Sequence, residues 1–561
     1  MDPIKTLTLA AALLGGLTLQ AADSKPSAAA APKFPPVQPA AMQNWQDKRF
    51  GMFIHWGPVS LTAKEIGWSR GAQTPIEVYD NLYRRFNPTN FNADAWVKVA
   101  KDAGMKYIVL TTKHHDGFCL WDTKLTDYNI MNGPFKRDVV KELSAACKRG
   151  GVAFGTYYST CDWHHPDFPL TSPGGKVKRP QFDLDAYNRY LLGQMSELVT
   201  NYGPLITMWN DVPQMFQGRG VNSIKLLRQL QPDITINNRT GDGGDYDTPE
   251  QRVGKFQNDR PWESCMTLSA HNHWAYGGPA DGVKSLAACL EMLIRGAGGD
   301  GNILLNVGPT PLGETPPDQV SRLQEMGAWL AKNGDSIYGT RGGPWKPSPA
   351  IASTRKGSFI YVHVLRPAEG RIELPALPRK VKAATLLGGG AVPFSQEGDK
   401  LRLTLDKGAL DPIDTIVRLE MDGSAMDLPV VALVAESNVK ASASNVFQKQ
   451  TARLGAQAAF DRDPETRWAT DSGTKQAWIV ADLGKPMTIQ RVRISEAVQE
   501  RVQAFEFQYR DGESWKTIFT GQKLGPAFQR LFDPVTASAF RLNILNATDG
   551  PTISEIELLE K

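Results

Sequence analysis

Leu205-Ile-Thr-Met-Trp-Asn-Asp-Val-Pro213 begins as a buried strand and ends in a carboxylate beside an indole. An ionised carboxylate at the end of an apolar run is costly unless a partner or a reaction needs it there. Taken alone, Asp211 also fits a helix N-cap or a turn. The flanking sequence decides, because other strand-like runs end in the same way.

Upstream, FGMFIHWG (50–57) reads as a strand entering a turn, and NADAWVKVAKDAG (92–104) as an amphipathic helix stopped by Gly104. KYIVLTTKHHDGF (106–118) is again strand and turn, followed by the helical DVVKELSAACKRGG (138–151). VAFGTYYS (152–159) and the helix LDAYNRYLLGQMSELVTNYG (184–203) lead into the opening stretch. Downstream come the helix VNSIKLLRQLQP (221–232), the strand-like ITINNR (234–239) and PWESCMT (261–267), the helix VKSLAACLEMLIRGAGG (283–299) and the strand GNILLNVGP (301–309). Strands apolar on both faces, each followed by a helix, predict a parallel sheet covered on its outer side. About 300 residues of this alternation favour an α/β fold of the (β/α)₈ TIM-like barrel type. No glycine-rich phosphate loop follows the first strand, which argues against a dinucleotide-binding sheet.

Polar clusters fall at the ends of these runs: His55-Trp56, His114-His115-Asp116, Tyr157-Tyr158, Trp209-Asn210-Asp211, Asn238-Arg239 and Trp262-Glu263. In a barrel the C-terminal strand ends converge on one rim, where active sites are built. Two carboxylates among aromatics and neutral polar groups, Asp211 and Glu263, suit glycoside hydrolysis. A carboxylate near Arg239 is expected to stay ionised, and one packed on Trp262 to hold its proton in the acid role.

The barrel is expected over 42–338. After it the pattern changes to short alternating strands such as FIYVHVL (359–365) and RIELPAL (371–377), without helices. Two β-sandwich domains are expected, at 339–425 and 432–561. At the other end, an apolar stretch from Leu7 to Leu19 followed by Ala21-Ala22 reads as a signal peptide over 1–22, too short to span a bilayer. An Ala/Pro-rich linker over 23–41 is expected next, and the protein is expected to be exported, periplasmic or secreted. A net charge of +4 on 561 residues carries no nucleic-acid footprint. The five cysteines are odd in number and scattered, without the spacing of a disulfide framework or a zinc module.

RFGMFIHWGPVS (49–60), KHHDGFCLWDTKLTDYNI (113–130), FGTYYS (154–159), the WND at 209–211, WESCMTL (262–268) and GNILLNVGPTPLG (301–313) resemble glycoside hydrolase family twenty-nine, the α-L-fucosidases. The resemblance runs from about Trp45 to Trp345 and implies a retaining enzyme with a covalent fucosyl intermediate. It implies Asp211 as nucleophile and Glu263 as acid/base. His55, His114, His115, Arg239 and one of Tyr157 and Tyr158 match residues that bond the fucose hydroxyls. Trp209, Trp262 and Trp274 are expected as the apolar wall against the C6 methyl group, and Glu65 and Trp68 loosely match a Glu-Trp pair of one family branch. AAFDRDPETRWATD (458–471), WIVADLGKPMTIQRVRI (478–494) and ISEIELLE (553–560) resemble the discoidin, or coagulation-factor type C, sandwich in its carbohydrate-binding form. That fold implies a structural calcium, for which Asp463 and Glu555 are the candidate ligands.

The expected partner is a fucosylated oligosaccharide or polysaccharide, with no cofactor for catalysis, no nucleic acid and no stable membrane span. α-L-Galactose differs from L-fucose only by a C6 hydroxyl, and a hydrophobic pocket rejects it weakly. Two other readings compete. A metal-dependent barrel hydrolase would draw on His114-His115, His164-His165 and His271 to His273, yet the first strand supplies only His55 where such barrels place an HxH pair. A non-catalytic glycan-binding barrel would have lost one of its carboxylates.

Overall fold

The computed structural model describes residues 34–560, apart from 173–177, 213–217, 254, 366–369, 434–438, 462–465, 499 and 526. The expected signal peptide and most of the linker lie outside that range. The linker's last residues are structured: Phe34 packs on the barrel core, Pro35 O accepts from Arg228, and a helix starts at Pro39.

Seven parallel strands form one sheet: β1 (Phe50–Ile54), β2 (Tyr107–Lys113), β3 (Ala153–Ser159), β4 (Thr207–Asp211), β5 (Thr235–Ile236), β6 (Glu263–Thr267) and β7 (Asn302–Val307). Their order, β5-β4-β3-β2-β1-β7-β6, leaves β5 and β6 at the two edges. An irregular segment seals the ring between them: Asn238 N bonds Tyr246 O, Glu263 N bonds Asp247 O, and Gln251 N bonds Cys265 O. The barrel is therefore TIM-like, with an eighth staff that is not a regular strand.

The helices form where the sequence supplies caps and apolar faces. Asn92, Asp138, Asp183 and Ser285 each accept a backbone N–H of the helix they open, satisfying donors that would otherwise lack partners. The first of these helices, Ala93–Asp102, buries Trp96, Val97 and Ala100 against the outside of the barrel.

After the barrel the chain is antiparallel. A five-stranded sheet from β8 (Arg341–Gly342), β9 (Ile351–Lys356), β10 (Phe359–Val364), β12 (Val381–Leu386) and β15 (Thr415–Met421) faces a three-stranded one from β11 (Arg371–Pro375), β13 (Phe394–Glu397) and β14 (Lys400–Thr404). Trp345, Ile360, Leu374, Leu401 and Leu419 fill the space between them. The last sheet, built on the long strands β16 (Ala477–Glu496) and β17 (Phe528–Ala547), bends through register shifts around a core of Trp468, Ile479, Phe505, Phe507 and Phe540. Among the described residues no helix is long and apolar enough to cross a membrane.

Candidate active site

A cavity of about 480 Å³ opens at the C-terminal rim of the barrel. A concavity of about 690 Å³ lies elsewhere, against the helices Ala93–Asp102 and Val139–Gly150. That surface site is lined by charges already spent on one another, Asp94 with Arg149 and Glu142 with Arg137, and none of the rim clusters reaches it.

Asp211 is the last residue of β4, beside Ser159 at the end of β3, and it lines the rim cavity. Its Oδ1 accepts from Arg239 Nη1 at 2.9 Å and from Val212 N at 2.9 Å, and its Oδ2 from the Tyr157 hydroxyl at 2.9 Å. Burial alone would push its carboxyl up. The Arg239 charge, His115 and the bonds from Arg239 and Tyr157 outweigh burial and hold it below the usual carboxylate range. Arg239 is the charged partner that counts, because burial pushes the His115 imidazole down to about 4 and leaves it neutral near pH 7.

His55, His114 and His115 all reach the cavity. Because β2 ends at Lys113, the adjacent His114 and His115 escape strand alternation and share one pocket. Gly67 lets a loop lie flat on them: it sits at φ 63°, and a Cβ there would stand 2.7 Å from His114 Nδ1. Asn306 gives its Nδ2–H to Trp274 O at 2.6 Å, so its Oδ1 accepts from His55 Nδ1 at 2.6 Å. Ser159 likewise gives its hydroxyl proton to Cys161 O and accepts from His115 Nδ1 at 2.7 Å. Both imidazoles therefore keep Nε2 as an acceptor. Burial pushes His55 down to about 3 and lowers His114, so all three rings are neutral. Neutral rings suit hydroxyl groups and add no charge beside Asp211.

The wall is aromatic. Tyr157 stacks between His114 and Trp209, with centroids 5.5 Å from each, and Arg239 lies 4.7 Å over the Trp209 ring. Phe53, Trp274 and the half-exposed Trp68 complete it.

Four sequence expectations require correction. Glu263 is the first residue of β6, not a residue past a strand's C-terminal end, and it pairs with Asn302, the first residue of β7. It therefore lies at the opposite end from Asp211, fully buried, outside the cavity lining, with the Tyr107 hydroxyl and Trp209 Nε1 (3.1 Å) donating to it. Burial pushes its carboxyl up to about 7. Trp262 is buried with it, its indole N–H held by Gln257 O and Gly299 O. Tyr158 alternates to the outer face of β3, where its hydroxyl donates to Gln194. Glu65 does not line the cavity: it accepts the backbone N–H groups of Trp274 and Ala275 and so fixes the Trp274 wall from behind.

A second carboxylate shares the cavity with Asp211, and the sequence pattern does not single it out. Glu250 lines the cavity from the segment that seals the barrel, and Arg239 Nη2 donates to its Oε2 at 2.9 Å. One guanidinium thus joins Asp211 and Glu250. Asn238, Thr248 and Arg252 line the same side.

His164 stacks on Tyr128 at 3.9 Å, and His271 and His273 both bond Asp281. Among the described residues no three His, Cys, Asp or Glu side chains are placed to share a metal ion. Asp463 lies outside the described residues; Glu555 pairs with Ser495 in the last sheet.

The alpha-L-fucosidase family model matches residues 17–335, and that of the F5/8 type C domain matches 438–558. Human plasma alpha-L-fucosidase is 30% identical over 391 residues, covering 62% of this chain and 81% of its own length. The alpha-L-fucosidase of Branchiostoma floridae is 31% identical, over 64% of this chain and 88% of its own. Among solved structures, alpha-L-fucosidase isoenzyme 1 from Paenibacillus thiaminolyticus superposes with a TM-score of 0.63 at 36% identity, covering 68% of this chain and 99% of that one. An alpha-L-fucosidase from Bacteroides thetaiotaomicron, solved as a trapped covalent intermediate with 2-fluoro-fucosyl fluoride, superposes with a TM-score of 0.63 at 26% identity over 69% of this chain and 97% of its own. A rim cavity built around Asp211 and a family match across more than half of the sequence agree: this chain belongs to the alpha-L-fucosidases of glycoside hydrolase family twenty-nine and carries an F5/8 type C domain at its C-terminal end.

Proposed function

We propose that the enzyme removes terminal α-L-fucosyl groups from glycans with retention, Asp211 acting as nucleophile and Glu250 as acid/base. The observation that carries this reading is the Arg239 bridge, which holds both carboxylates on one cavity wall. In the first step Glu250 protonates the departing glycosidic oxygen while ionised Asp211 attacks the anomeric carbon. The C–O bond to the aglycone breaks, and an ester to Asp211 forms. That ester removes the Asp211 charge; in the second step Glu250 takes a proton from the water that attacks the anomeric carbon, and the ester bond to Asp211 breaks. Neutral His55, His114 and His115 accept sugar hydroxyls, and Trp209 and Trp274 offer the face for the methyl group. Catalysis on this scheme needs no metal, since the carboxylates supply both proton transfer and nucleophile. A calcium, if held by the last domain, serves that domain's stability. The apolar stretch at Leu7 to Leu19, followed by Ala21-Ala22, supports export as part of the same reading.

Incubation with 2-fluoro-fucosyl fluoride tests the mechanism. The expected result is a stoichiometric mass increase on the peptide containing Asp211, together with release of α-configured fucose from an unmodified substrate. A β-configured first product and no adduct would overturn it.

A further inference from the structure

One residue of the fucose cavity does not come from the barrel. Arg453, in the C-terminal domain, lines it with Glu250 and Arg252. It sits on the single helical turn Thr451–Leu454, which is anchored rather than free: Leu454 is buried, Ala456 and Ala459 just after it are part of the sandwich core, and Gly455 N closes the turn on Thr451 O. Arg453 is exposed and has no hydrogen bond or ion pair to any described residue through its side chain. The two carboxylates of the cavity are both engaged by Arg239 and stand beyond ion-pair distance of it. Two more arginines of the same domain add to its field: the charges of Arg453 and Arg501 both act on Arg467, after burial, to lower it. Arg501 is tied to Gly550 O and Asp549, so of these three it is the one engaged by an acid among the described residues.

Fucose is neutral, and the cavity floor already offers it neutral imidazoles and an aromatic wall. A guanidinium that no described residue engages, set among the cavity's lining, therefore has no role toward fucose itself. It stands where the leaving group must lie, and its planar fork matches a carboxylate or a sulfate oxygen pair.

We propose that Arg453 makes the C-terminal domain part of the leaving-group subsite and selects fucosides whose adjacent sugar carries an anionic group, a carboxylate or a sulfate ester. The proposal rests on the fucosidase reading, and an aryl α-L-fucoside serves as the independent check on it: hydrolysis of that compound stands or falls with the barrel.

The test uses the full-length enzyme and fucosyl disaccharides of a linkage it cleaves, in neutral, carboxylated and sulfated forms. At low ionic strength kcat/KM should favour the anionic members over the neutral one by about tenfold, and the preference should shrink as salt approaches 0.5 M, where screening reaches within a few ångströms. Arg453→Ala should bring the ratio to near one. Arg453→Lys, a point charge without the fork, should keep more of the preference for sulfate than for carboxylate. Equal kcat/KM for neutral and anionic substrates in the wild type would overturn the proposal. So would a preference that survives Arg453→Ala.

Discussion

Asp211 and Glu263 are two carboxylates of one barrel, the first half-buried against the rim cavity and the second fully buried, and their carboxyls are shifted in opposite directions. Asp211, at the rim, meets Arg239 and Tyr157, which stabilise its anion. Glu263, at the opposite end, has only the neutral donors Tyr107 and Trp209, and burial wins. The two therefore bias stability in opposite directions with pH. The lowered carboxyl of Asp211 contributes stability above its ordinary 3.8, lost as pH falls through its folded value. For Glu263 the folded state keeps a proton that the unfolded state has released between 4.5 and about 7, so stability declines as pH rises through that window. What separates the two carboxylates here is the Arg239 guanidinium at the rim together with the deeper burial of Glu263.

The hardest way to break this contrast is to remove Asp211. Asp211→Ala should lower turnover by roughly three orders of magnitude or more in a folded protein, because the two-step route itself is gone. Azide should restore part of the activity on an activated fucoside and give the inverted product. Near-normal turnover in a variant with a wild-type melting curve would mean that the charge state at the rim has nothing to do with catalysis.

Glu250→Ala comes next. Turnover on substrates with poor leaving groups should fall by about 10²–10³-fold, and on aryl fucosides far less, since only the former need a strong acid. Equal losses on both kinds would reduce Glu250 to a holder of Arg239.

Glu263→Gln should have a smaller effect, and on stability rather than chemistry. The amide keeps the acceptor for Trp209, so kcat should stay within a few-fold of wild type. The full shift of Glu263 amounts to about 3 kcal/mol, so in urea unfolding the wild type should lose stability relative to the variant between pH 5 and pH 8. Parallel pH curves for the two proteins would show that Glu263 is not protonated in the folded barrel.

Exhaustive chelation should have the smallest effect on activity: none on turnover of a small soluble fucoside, and at most a lower melting temperature for the last domain. Activity that vanished and returned with zinc or manganese would instead promote a metallohydrolase.

Much of this is legible in the sequence. The alternation of apolar strands and capped helices predicts the barrel, and the polar clusters at 55, 114–115, 157, 209–211 and 239 do meet at one rim. The errors share a physical origin. PWESCMT has no internal sign of where pairing starts, so a residue that opens β6 reads like one that closes it, and Glu263 lands on the wrong end of the barrel. Tyr157 and Tyr158 are equivalent in sequence, and only strand phase sends one into the cavity and the other to Gln194. Glu250 stands in DTPEQ (247–251), a stretch without period, among neighbouring acids at 242, 245 and 247. Asp242 bonds Gly218 N and Gly220 N, Asp245 pairs with Arg228, and Asp247 pairs with Arg260. Only three-dimensional placement sets Glu250 apart.

The segment that seals β5 to β6 also brings Glu250 to the guanidinium that holds Asp211, which ties the assembly of the proposed catalytic pair to a topological event. A chain that has paired β1 to β5 already owns the proposed nucleophile, but it acquires the proposed acid only when residues 245–251 zip the two edges together. Turnover of a demanding substrate is then a built-in reporter of ring closure. During refolding it should appear later than helical signal and together with protection of the amides of Asn238, Glu263 and Gln251, the donors across that seam.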